Sequence, residues 1–171
     1  LWNTDLGSGI SAPPITYSVD GKQYISLLVG WGGVGAATPG FIGGQHGWAY
    51  KAHRRRLVTF ALDGQQALPA KTPPFFPKPL RVDGFEEDPK FVKAGAKIYV
   101  EECLICHGAG AESGGYAPDL RAAASVLDLK IFGEVVQKGS RRDQGMPGFS
   151  KMTEPELVSL QHYIRHQAAL D

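Results

Sequence analysis

The hydrophobic positions follow two different periods along this chain. Up to residue 64 apolar and polar residues alternate with a period near two. Ile15-Thr16-Tyr17-Ser18-Val19 and Gln23-Tyr24-Ile25-Ser26-Leu27-Leu28-Val29 read as strands. Asp20-Gly21 joins them, a dipeptide suited to the positive φ of a tight hairpin turn. A third strand, Leu57-Val58-Thr59-Phe60-Ala61-Leu62, ends at Asp63-Gly64. Between the second and third strands, eight glycines fall within residues 30–47. That density suits neither a helix nor a regular strand, and predicts a loop whose backbone runs close to something else.

Beyond residue 88 the spacing becomes helical. Asp88 is placed to cap a helix whose first residue is Pro89. Phe91, Gly95, Ile98, Tyr99 and Glu102 then share one face. A second helix is expected over Ser125–Gln137. The last begins at Thr153, where Thr153 and Glu156 have the spacing of a capping box. It continues through Leu157, Leu160, Tyr163 and Ile164. Residues 65–87 separate the two regions. The prolines Pro69, Pro73, Pro74, Pro77 and Pro79 make them an extended linker that could reach roughly 70 Å. The expected organisation is therefore a β segment over 1–64, a linker over 65–87 and a helical domain over 88–171.

Composition narrows the function classes. The 171 residues are 43% hydrophobic and 20% charged, with a formal net charge of +1, as in an ordinary globular protein. No apolar run approaches the roughly 18 residues that span a bilayer, so a transmembrane role is not expected. The one basic run, Arg54-Arg55-Arg56, stands without a basic face or a binding motif, so a nucleic-acid partner is not expected either. The chain opens Leu1-Trp2-Asn3, without an initiator Met or a secretory signal, and reads as a piece of something longer or a processed product.

The two cysteines stand three residues apart, in Cys103-Leu104-Ile105-Cys106-His107. A lone pair builds no disulfide framework and points to metal, redox or haem chemistry. On a helical turn the two thiols can reach the two vinyl groups of one porphyrin, while His107 presents its imidazole to the iron. A structural zinc site needs four ligands, and a thioredoxin-like pair a preceding strand; Cys103 instead ends a helix. A haem so held needs a sixth ligand. Of the two methionines, Met146 lies in the irregular Gln144-Gly145-Met146-Pro147-Gly148-Phe149 segment, which can bend over the open haem face. Met152 precedes the last helix, where an apolar residue acts as a hydrophobic staple. Thioether ligation raises the reduction potential and suits electron transfer. His162 and His166, four apart on the last helix, are expected to face solvent. His46 and His53 receive no role.

Residues 88–168 resemble the class I cytochrome c family. Gly95 and Tyr99 match the small and aromatic positions of that family's first helix, and Leu160 and Tyr163 their partners on its last, which implies that the helices cross at Gly95. Ala117-Pro118-Asp119-Leu120 resembles the family's proline segment. The resemblance implies that the Pro118 carbonyl accepts a hydrogen bond from His107 and, more loosely, that Arg121 meets a haem propionate. Thr16-Tyr17, Asp20-Gly21-Lys22-Gln23-Tyr24-Ile25 and Gly30-Trp31-Gly32-Gly33 resemble the final blade of pyrroloquinoline quinone (PQQ) dehydrogenases, and Leu57–Gly64 with Leu68-Pro69 the strand that closes their eight-bladed propeller.

Together these parts look like the end of a soluble quinohaemoprotein alcohol dehydrogenase. The fold class implied is mixed: a closing β-propeller blade followed by an all-α cytochrome c domain. A single blade exposes both faces of its sheet and needs the remainder of the propeller as a partner. The resemblance further implies one covalent haem c, with PQQ and calcium in the parent enzyme, and Gly33 and Val34 as the last quinone contacts. It implies a periplasmic location and an external electron acceptor such as a small copper protein, a cytochrome or a quinone-linked membrane complex. The family's catalytic aspartate and calcium ligands have no counterpart here, so alcohol oxidation by this segment alone is not expected. The rival readings are a stand-alone electron-carrier cytochrome c with an appended β segment and, more distantly, a zinc-stabilised interaction module.

Overall fold

In the computed structural model, which describes residues 2–10, 12–30, 55–70, 77–113 and 117–170, the alternating segments pair into one antiparallel sheet. Its strands are β1 (Ile15–Val19), β2 (Lys22–Val29) and β3 (Arg56–Ala61), with β2 in the middle. Asp20 and Gly21 both take positive φ, at 50° and 77°, as a tight two-residue hairpin requires. Tyr17 faces Tyr24 across the first pair, their rings stacked at 5.5 Å. Leu27 and Val29 of β2 and Val58 of β3 form a small core, to which Leu6 and Phe60 add. The Trp2 ring, itself largely exposed, lies 5.3 Å from the Phe60 ring. The opposite side of the sheet keeps Ile15, Leu28 and Leu57 in solvent, each about three-fifths or more exposed.

The helical region is built on α1 (Pro89–Glu102), the single turn α2 (Leu104–His107), α3 (Leu129–Val136) and α4 (Glu154–Ala169). Asp88 caps α1 through a 2.8 Å bond from the Lys90 N–H. Thr153 begins α4, its N–H donating to the Glu156 carboxylate at 2.7 Å. Tyr99, Val126, Leu160 and Ile164 are wholly buried at the centre, with Phe132, Val136 and Leu157 around them. α1 and α4 cross at Gly95. A Cβ on that residue would stand 1.9 Å from the Ser159 carbonyl oxygen, so only hydrogen fits there. Tyr99 and Tyr163 meet one turn further along, ring centres 4.9 Å apart. Gln161 ties α4 to the segment before α3 through a 2.6 Å bond to the Val126 carbonyl.

Two expectations need correction. The second helix begins at Leu129 and not at Ser125. Asp128 is its cap, accepting from the Ile131 N–H at 3.0 Å, while Ser125 belongs to a separate 3-10 turn, Ala124–Val126. His162 and His166 do not simply face solvent. The His162 ring lies 4.9 Å from Phe85 and 5.2 Å from Phe91, and its Nδ1 accepts from the Asp88 N–H at 3.3 Å. His166 Nδ1 is 2.6 Å from Glu87. Buried Arg165, on the same side, donates to the Leu80 carbonyl. Residues 80–88 thus lie along α4 as a strap, covering a helix face that the Leu157/Leu160/Ile164 periodicity does not report.

Candidate haem site

The site forms where α1 runs out. Cys103 is the C-cap of α1, its N–H still bonded to Tyr99 O at 2.9 Å. The following turn closes through His107 N–H to Cys103 O, also 2.9 Å. Gly108 then takes φ 82°, a conformation costly for a residue with a Cβ, and the chain leaves the helix. Both cysteines are free thiols, Cys103 buried and Cys106 partly so. Burial, with help from Glu102 and Cys106, pushes the Cys103 thiol up to about 12. The two thiols and the imidazole are thus presented by one turn.

His107 is 6% exposed, and its Nδ1 lies 2.8 Å from the Pro118 carbonyl oxygen. Burial lowers its pKa; the Pro118 bond and the Asp119 charge oppose that shift. A neutral imidazole that donates from Nδ1 to a carbonyl has Nε2 as its lone-pair nitrogen, the state a metal ligand needs. Tyr99 steadies the next residue, its hydroxyl donating to Gly108 O at 2.6 Å. Tyr99→Phe removes that donor from a buried carbonyl and is expected to cost about 1–3 kcal/mol. Thermal unfolding of the haem-loaded chain checks it, as a midpoint several degrees lower.

Arg121 is also buried, but its guanidinium is committed within the protein. Nε and Nη2 donate to Asp119 at 3.1 and 2.9 Å, with Glu112 3.7 Å from Nη2. Met146 and Met152 are both partly buried against the same core. Gly145, at φ 92°, turns the chain just before Met146, whose N–H donates to Arg141 O at 3.2 Å. Met152 is held more tightly, by Phe149 O at 2.9 Å and by Gln137 Nε2 on its own carbonyl at 2.8 Å. Gly33, Val34, His46 and His53 lie outside the described residues. Asp119 and Ser113 were missed by the sequence reading. An acidic residue two before an arginine, directly after the proline segment, was the available signal.

Two thiols and an oriented imidazole on one turn, with a methionine thioether in a separate loop, are donors that would suit a c-type haem. Among the described residues, no group of three His, Cys, Asp or Glu side chains is placed to hold a metal ion by itself. No helix among them is long and apolar enough to cross a membrane.

The helical fold and this turn define a cytochrome c domain. Residues 91–164 match the family model described as cytochrome c oxidase, cbb3-type, subunit III. The relatives are more particular. Quinohemoprotein alcohol dehydrogenase ADH IIB of Pseudomonas putida is 37% identical over 162 residues, which is 92% of this chain and 22% of that protein. The 1-butanol dehydrogenase (cytochrome c) of Thauera butanivorans is 38% identical over 165 residues, again 92% of this chain and 22% of the relative. The structure of quinohemoprotein alcohol dehydrogenase ADHIIG from Pseudomonas putida HK5 superposes with a TM-score of 0.79 at 33% identity, over 97% of this chain and 23% of that one. That of the Comamonas testosteroni enzyme gives 0.66 at 32% identity, over 96% of this chain and 22% of that one. The chain is homologous along nearly its whole length to quinohaemoprotein alcohol dehydrogenases and carries their cytochrome c domain. It spans a little over a fifth of their length.

Proposed function

We propose that this chain holds one haem c through Cys103 and Cys106, ligated by His107 and Met146, and passes electrons from reduced PQQ to an external acceptor. The single observation that carries this reading is the buried His107 ring, oriented by the Pro118 carbonyl at 2.8 Å beside two free thiols on the same turn. A haem so bound supplies one-electron chemistry, while the quinone takes two electrons from the alcohol elsewhere in the protein. The chain's own residues set ligation, tautomer and solvent access. Gly33 and Val34 contribute the last contacts to PQQ, and calcium belongs to the remainder of the enzyme. The exposed Ile15, Leu28 and Leu57 face of the sheet supports its role as the closing blade of a propeller, since that face is apolar and needs a neighbour. The enzyme works in the periplasm, where a small copper protein, a cytochrome or a quinone-linked membrane complex collects the electrons. Alcohol oxidation itself is carried by the rest of the protein.

The test uses the full-length dehydrogenase and rapid mixing with alcohol. Met146→Ala is expected to slow reduction of the external acceptor severalfold while reduction of PQQ by alcohol keeps its rate. Equal loss of both steps would contradict this division of labour. In the unmutated enzyme, haem that stays oxidised after PQQ has been reduced would favour a separate electron carrier.

A further inference from the structure

We propose that Asp119 and Arg121 form a positioning clamp that holds the Pro118 carbonyl against His107 and so sets the donor strength of that ligand. The inference rests on the haem reading above and deepens it. The Pro118 carbonyl belongs to the peptide that leads into Asp119, so holding Asp119 in place restrains the direction of that oxygen. Among the described residues, four donors converge on the Asp119 carboxylate. Arg121 supplies Nε to Oδ1 at 3.1 Å, Nη2 to Oδ2 at 2.9 Å and its own N–H to Oδ1 at 3.0 Å. The Ser113 N–H adds a long contact to Oδ2 at 3.4 Å. The Ser113 hydroxyl bonds to the carbonyl of Ala117, immediately before Pro118. The strap anchors the far end, Leu80 N–H donating to Arg121 O at 2.9 Å. The peptide facing His107 is therefore braced on both sides.

Stability alone is a poor reason for this arrangement. Asp119 is 8% exposed and Arg121 9%. An ion pair at that depth gives up the hydration of two charges and often contributes little net stability over apolar residues of similar volume. What a two-pronged guanidinium–carboxylate pair does supply is geometry, because its planar fork fixes both partners. A well-aimed Nδ1–H to carbonyl bond makes the imidazole a stronger donor, which favours oxidised iron and lowers the reduction potential. Loosening the clamp weakens that bond and raises the potential. A charge effect makes a different forecast. Removing a negative charge near the iron raises the potential, and removing a positive one lowers it.

The difference gives the experiment. The 171-residue chain is matured with haem as wild type, Asp119→Asn, Arg121→Gln and Arg121→Lys. Midpoint potential is measured at one pH and ionic strength, together with the proton resonance of the His107 Nδ1–H in the reduced protein. The clamp predicts a rise in potential for both Asp119→Asn and Arg121→Gln, with the resonance moved upfield in each. Arg121→Lys keeps the charge but loses the fork, and is expected to shift both readouts in the same direction by less. Potentials that move oppositely in Asp119→Asn and Arg121→Gln overturn the clamp in favour of plain electrostatics. Unchanged potential and resonance beside a lowered unfolding temperature overturn it in favour of a structural pair. If the first two variants do not fold, Arg121→Lys decides alone, and wild-type values there overturn the proposal. A wild-type chain that takes up no covalent haem overturns the haem reading first, before any variant is compared.

Discussion

Gly95→Ala is expected to destabilise the helical region by about 3 kcal/mol or more, the upper end of what overpacking costs. The added methyl would lie 1.9 Å from the Ser159 oxygen, 2.5 Å from its carbonyl carbon and 2.8 Å from the Tyr163 Cβ. Two of these atoms are helix backbone, which a rotamer change cannot move. α1 and α4 must separate, and the Tyr99–Tyr163 contact opens with them. Since α1 delivers Cys103 and the turn after it, haem retention should fall together with stability. Gly133→Ala is the control. Its Cβ would meet the Gln137 Oε1 at 3.0 Å and the Leu157 Cδ2 at 3.3 Å, both ends of side chains that can give way. Denaturant midpoints of the two variants check the comparison, and equal midpoints would refute the crossing as the tight point of the fold.

The second large effect concerns the sixth ligand. Met146→Ala is expected to abolish the weak long-wavelength absorption of thioether-ligated oxidised haem. It should also lower the potential by a sizeable fraction of the roughly 0.8 V that axial ligation spans. Met152→Ala should leave both readouts in place and cost stability only, about 2–5 kcal/mol for a wholly buried methionine and less for one partly buried. The reasoning is local. Met152 has its N–H and its carbonyl fixed between Phe149 and Gln137 at the entrance to α4. Met146 follows a left-handed Gly145 in a segment with no regular structure, where the backbone can carry a side chain over a flat group. A Met152→Ala protein that loses the absorption would reverse the assignment.

Much of the fold was legible because local chemistry and tertiary packing agree. Asp20-Gly21 between alternating runs fixes the hairpin, and the Leu157, Leu160 and Ile164 spacing fixes the face that α4 turns to the core. The turn Leu104–His107 was legible for a different reason: its three reactive side chains have one shared use. What the sequence concealed lies in contacts between a helix and extended chain. The strap 80–88 has no periodicity of its own, so nothing marked Arg165, His162 and His166 as its holders. The start of α3 was misplaced because Ser125 and Asp128 are both residue types that cap helices; Asp128 accepts from the Ile131 N–H, while Ser125 lies inside the Ala124–Val126 turn. The Asp119–Arg121 pair was hidden in a similar way. A buried ion pair two residues apart resembles a surface pair until burial is known.

The measurement that bears most directly on the central claim is the reduced-minus-oxidised visible spectrum of the purified chain, expressed in a host that matures c-type cytochromes. A sharp α-band, with haem that stays on the protein through acid-acetone extraction, is the predicted result and establishes thioether attachment at Cys103 and Cys106. Colourless protein, or haem that extracts freely, would contradict the account and leave thiol or metal chemistry at that pair as the reading to pursue.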